Sequence, residues 1–133
     1  MPFRGWLHER RRHHVEFDLQ PLSEEARNGF LERWRSTQER FVEDPQVTTM
    51  ETDRLVTDVM RACGYPVDDF DERAVEISVD HPELVGNYRS AHEVAARQSL
   101  GEATTDDLRR AMRHYRALVD ELLETDPAER LVR

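Results

Sequence analysis

The sequence predicts an all-α fold, an antiparallel four- to five-helix bundle preceded by a basic N-terminal arm. Three observations predict it. Apolar residues return at spacings of three and four along most of the chain; helix-starting caps and helix-ending glycine or proline punctuate those stripes; and the one short alternating stretch has no second strand to pair with. The 133 residues suit one domain, and a chain of this size buries roughly two-thirds of its unfolded surface around one core. Residues 1–20 are expected to form the arm, 21–126 the bundle domain and 127–133 a C-terminal tail.

The first helix should start after Ser23, whose hydroxyl can take an orphan backbone N–H while Glu24 and Glu25 meet the positive helix end. Phe30, Trp34 and Phe41, joined by Leu31 and Val42, recur at spacings of four and seven and mark its buried face. Asp44-Pro45 breaks the pattern, since proline cannot continue a helix but suits the first position of the next, with Asp44 as its cap. The second helix then turns Val47, Met50, Leu55, Val56, Val59, Met60 and Cys63 inward and stops at Gly64.

The segment 67–79 reads two ways. Asp68 and Asp71 resemble a capping arrangement for a short helix bearing Phe70, Ala74 and Ile77, while Val75, Ile77 and Val79 alternate as a strand would. Helix is favoured. Asp80-His81-Pro82 opens a fourth helix with the stripe Leu84, Tyr88, Ala91, Ala95 and Ser99, closed by Gly101. The fifth, over 104–123, has threonine caps, two acids and an unbroken stripe of Leu108, Ala111, Met112, Tyr115, Leu118, Val119 and Leu122. Acid-before-base pairs Glu93–Arg97 and Asp106–Arg110 should each add about 0.3 kcal/mol on solvated faces. Trp34, Phe41 and Tyr115 are expected in the core; any that proves exposed becomes the leading anchor for a partner.

Charge narrows the function. The net charge is −9, yet residues 1–14 carry +3 and the remainder −12, so the body should repel nucleic acid and any polyanion or anionic membrane would have to meet the arm. The partner-binding candidates there are Phe3, Trp6, Arg10, Arg11 and Arg12, a mixture of aromatic and basic groups shared by RNA-binding tails and interfacial segments. Docking of the arm on the acidic bundle fits the charge map better. All nineteen basic residues are arginine, which excludes lysine Schiff-base chemistry and a P-loop. No 18-residue apolar run, no secretory leader and a single cysteine, Cys63, lead to the expectation of a cytoplasmic protein.

The blocks RFVEDP (40–45), DRLVTDVM (53–60) and TTDDLRRAMRHYRALVDELL (104–123) resemble those of a widespread bacterial family of small helical proteins with no assigned activity. The resemblance covers about residues 31–123 and leaves out the arm. It implies a helical fold and carries over no catalytic residue.

Catalytic signatures are weak. Six histidines invite a metal, but neither H-x-x-x-H nor paired E-x-x-H occurs. Antiparallel pairing of the last two helices would set residue 92 opposite roughly 113, so His92 and His114 are the weak metal candidates, with Glu93 or Asp107 nearby. A His8, His13, His14 clip in the arm is a lesser one. Cys63 at a helix C-terminus is expected to be a buried structural thiol. Ser78, Asp80 and His81 read as caps, and Asp68, Asp69, Asp71 and Glu72 as helix-end charge. The expectation is a non-enzymatic interaction or adaptor module without a cofactor, taking a protein partner or a second copy of itself. The competing readings are a metal-binding or enzymatic bundle using His92 and His114, and an arm that binds membrane or nucleic acid.

Overall fold

The computed structural model describes residues 22–66 and 68–124. Five α-helices occupy most of that length: α1 (Glu24–Arg40), α2 (Pro45–Ala62), α3 (Phe70–Asp80), α4 (Val85–Ser99) and α5 (Thr105–Val119). A 3-10 turn, Pro82–Leu84, joins α3 to α4, and a π-helical turn, Asp120–Glu124, extends α5. Among the described residues there is no strand. Residues 70–80 are helix, and the alternation of Val75, Ile77 and Val79 is incidental to a stripe that buries Ala74 and Ile77.

Local chemistry fixes the boundaries. Ser23 Oγ accepts the Ala26 N–H at 3.0 Å, and Asp44 accepts that of Val47 at 3.1 Å with Pro45 in the first position of α2. The cap of α3 is Asp69, one residue later than Asp68, accepting the Asp71 N–H at 2.8 Å. Thr104 and Asp107 exchange bonds at 3.0 and 2.9 Å, a complete capping box at the start of α5. Both α2 and α4 end in Schellman turns on glycines of positive φ, 97° at Gly64 and 72° at Gly101, where an L side chain would meet strain. The 6→1 bonds of these turns run from Tyr65 N–H to Met60 at 2.9 Å and from Glu102 N–H to Arg97 at 2.9 Å.

Helix α2 is the hub, packing against α1, α4 and α5, while α4 and α5 form an antiparallel hairpin and α3 lies against α4. The core draws Trp34 from α1, Leu55, Val59 and Met60 from α2, Ile77 from α3, and Leu108, Tyr115 and Leu118 from α5. Each such side chain, fully buried, contributes roughly 1.5–3 kcal/mol.

Three expectations change. Val47 and Met50 are 48% and 42% exposed, and Thr48, Thr49 and Thr52 are buried in their place. The cause is helical phase: counting back from Leu55 by three and by seven arrives at Thr52 and Thr48. Burial is tolerated because each threonine hydroxyl donates to the carbonyl four residues earlier, at 2.7 Å in all three. Secondly, α4 begins at Val85, after the 3-10 turn Pro82–Leu84, and no side chain caps its first residues. Thirdly, the ion pairs shift partners: Asp106 meets Arg109 at 2.7 Å, Arg110 reaches Asp107, and Arg97 crosses the hairpin to Asp107 at 3.4 Å.

Candidate functional site

Of the residues singled out in the sequence, Phe3, Trp6, Arg10, Arg11 and Arg12 lie outside the described residues, as do His8, His13 and His14. The hairpin register comes close to expectation, with Asn87 beside His114 and Ala91 beside Tyr115. Yet His92 and His114 have different neighbours. His114 Nδ1 is 2.7 Å from Asn87 Oδ1, whereas the His92 ring stacks on Phe70 with centroids 3.7 Å apart and planes 12° from parallel. Stacking rotates His92 toward α3, and neither histidine belongs to a three-ligand group among the described residues.

Phe70 anchors α3 to α4. Tyr88 stacks on it at 4.8 Å, and the guanidinium carbons of Arg73 and Arg89 lie 5.9 and 6.0 Å from its centroid. Arg73 Nε donates to the Tyr88 hydroxyl at 2.7 Å. Burial raises the Tyr88 pKa above its ordinary value despite this cation. On the hairpin side the Tyr115 hydroxyl, fully buried on α5, donates to Asp53 of α2 at 2.8 Å. Burial first, then the Asp53 charge, drives its pKa strongly upward. These tyrosines stay neutral, and their hydroxyls pin helices together.

Two recesses are lined wholly by described residues. One, of about 330 Å³ between α1 and α2, is lined by Arg33, Arg40, Arg54, Ser36, Thr37, Glu51 and Leu55. Its charges are largely satisfied internally, for Arg33 meets Asp58 at 3.0 Å and Arg40 grips Glu51 with both terminal nitrogens, which lowers the Glu51 pKa. The other, of about 270 Å³, is formed by Gln38 and Phe41 at the end of α1 with Arg109, Met112 and Arg113 of α5. Phe41 and Met112 are only half-buried, so Phe41 departs from its expected place in the core, and the adjacent Val42 is 88% exposed. Helix α1 runs out at Arg40, leaving the aromatic ring at an edge that no further helical turn covers. Arg113, exposed at the rim, has no ion pair among the described residues, whereas Arg109 is held by Asp106.

A third place lies at the turn after α3, where the sequence suggests only a cap. His81 is 2% exposed and caps nothing with its side chain. Its Nδ1 lies 3.4 Å from Glu121 Oε1 and 3.8 Å from Glu83 Oε1. The three side chains form the only group of three His, Cys, Asp or Glu ligands within reach of one another among the described residues. The signal that existed was His81 followed by proline and glutamate; Glu121, forty residues downstream, is brought in by tertiary packing and gives no local cue.

No family model, curated protein or solved structure matches this chain.

Proposed function

We propose that this protein is a helical interaction module that receives an apolar anchor flanked by acidic residues, supplied by a partner protein, in the recess between the end of α1 and the middle of α5. The observation that carries it is the meeting of the half-buried Phe41 and Met112 with the exposed guanidinium of Arg113, which has no ion pair among the described residues. Apolar floor and cationic rim are the anatomy of a contact hot spot, where a desolvated anchor supplies most of the affinity and the rim excludes water. At about 270 Å³ the recess is small for a whole metabolite and suits one large side chain. Arginine is suited to this rim because its planar group can engage a carboxylate with two bonds.

The test places a photo-crosslinking residue at Gln38 of the full chain in its native cell and identifies the cross-linked segment. That segment, as a synthetic peptide, should bind the purified protein in a salt-sensitive way. Met112→Asp should abolish binding, and Arg113→Glu should weaken it at least tenfold. A peptide that binds both variants as well as the unaltered protein defeats the reading. Cross-linking to a second copy alone would make the protein its own partner.

A further inference from the structure

We propose that His81, Glu83 and Glu121 form a binding site for a divalent transition ion of the zinc, iron or manganese class, tying the turn after α3 to the end of α5. The proposal is independent of the partner recess, and either can fail without the other.

The donor set is assembled by distinct backbone devices. His81 closes α3, its N–H donating to Ile77 O at 2.6 Å, and Pro82 then starts a 3-10 turn that places Glu83 two residues on. Glu121 comes from the π-helical turn, where the wider i→i+5 spacing re-aims side chains relative to the α-helix before it. The three ligand atoms lie within 4.8 Å of one another.

The separations fit an ion between the three donors as well as the direct ion pairs they form. An N–H···O hydrogen bond spans about 2.7–3.2 Å, and both histidine–carboxylate distances, 3.4 and 3.8 Å, exceed that. Ligands at about 2.1 Å from a tetrahedral metal are about 3.4 Å from each other. One imidazole nitrogen with two carboxylates matches borderline first-row ions and is a poor set for magnesium or calcium, which take oxygen alone. Asp80, the nearest acid in the chain, is turned to the Tyr65 hydroxyl, which donates to it at 2.6 Å. Glu83, 61% exposed, leaves water a path to the remaining coordination positions.

The competing state of the same trio is an imidazolium held by two carboxylates with no ion. Calorimetric titration of the full chain, free of any affinity tag and stripped with chelator, separates the two. Zinc should bind at one ion per chain and raise the melting temperature, and calcium or magnesium should do neither. Glu83→Gln, at an exposed position, should leave the metal-free melting temperature unchanged while lowering zinc affinity at least tenfold; Glu121→Gln should act in the same direction. His81→Asn should abolish binding, and if that variant does not fold, the two glutamine variants still decide. Absence of saturable one-to-one binding, equal binding by Glu83→Gln, or loss of binding only on removing His13 and His14 would each overturn the proposal.

Discussion

The α4–α5 hairpin and the corner made by α3 and the turn after it bury their surfaces with different chemistry. The hairpin interior is largely apolar, with Ala91, Leu108, Ala111 and Leu118 nearly inaccessible, and the Tyr115 hydroxyl within it is held by Asp53. The corner is shorter, and α3 buries Arg73 and Glu76 beside Ala74 and Ile77 before the chain buries His81. An eleven-residue helix offers two apolar turns and no more, so its inward face takes in ionisable groups. Such groups hold position only through specific partners, and that makes the corner, with its convergent carboxylates, the place to look for ligand chemistry.

The largest expected effect tests the apolar half of this contrast. Leu118→Ala should cost about 2–5 kcal/mol, read as a lower urea midpoint with a single cooperative transition. A variant that loses α5 while keeping α1 and α2 folded would show that the hairpin is not continuous with the hub. In the corner, Tyr88→Phe keeps the ring on Phe70 and removes only the acceptor of the Arg73 bond. A cost of about 1–3 kcal/mol is expected, since a buried charged donor loses an acceptor. A neutral result would mean that the corner tolerates its buried polar groups with little specificity.

Tyr115→Phe applies the same deletion on the hairpin side, where Asp53 is only partly buried and regains water. The cost should be smaller, about 1 kcal/mol. Its pH signature is distinct. The folded state holds the Tyr115 pKa above its ordinary value, so this stability is complete below about pH 10, where unfolded tyrosine starts to ionise, and falls as pH rises toward the folded value. Urea midpoints measured between neutral and alkaline pH should decline less in the phenylalanine variant.

The hairpin was more legible in the sequence than the corner for a physical reason. Thr104, Asp107, the stripe from Leu108 to Leu122 and Gly101 are signals within one or two turns of the structure they specify. The phase of α2 is also a local matter: hydrophobicity points to Val47 and Met50, whereas the phase set by Leu55 and Val59 points to Thr48 and Thr52, which the fold buries. The recess needs Phe41 and Met112 from helices far apart in sequence, and the trio needs Glu121 across forty residues and through a π-turn. Neither leaves a periodic trace. The register expected to bring His92 to His114 instead leaves His114 beside Asn87, and His92 stacks on Phe70, a contact that depends on where α3 lies.

Thr104→Ala should cost about 1 kcal/mol by removing the cap of α5. Hydrogen bonds from Thr104 hold the Asp107 pKa below the usual carboxylate range. A depressed value contributes stability above about pH 4 that is lost as pH falls through the folded pKa, so the variant should show a shallower loss of stability on acidification. Equal acid sensitivity would show that the Thr104 backbone N–H, which the variant keeps, suffices to hold Asp107 ionised.

The smallest effect should have the opposite sign, and it sets the two ends of α4 against each other. At its end Gly101 is required by its positive φ, while at its start Gly86 is the second residue of the helix, has no such conformation, and would place a methyl group in open space. Gly86→Ala narrows the unfolded chain without strain in the folded one, so it should stabilise by about 0.4 kcal/mol, the low end for such changes because the position is terminal. Gly101→Ala forces an L side chain into the left-handed region and should destabilise by about 1 kcal/mol. If Gly86→Ala instead destabilises, the uncapped start of α4 needs the freedom of glycine to follow the 3-10 turn, and the corner is under more backbone constraint than its torsion angles show.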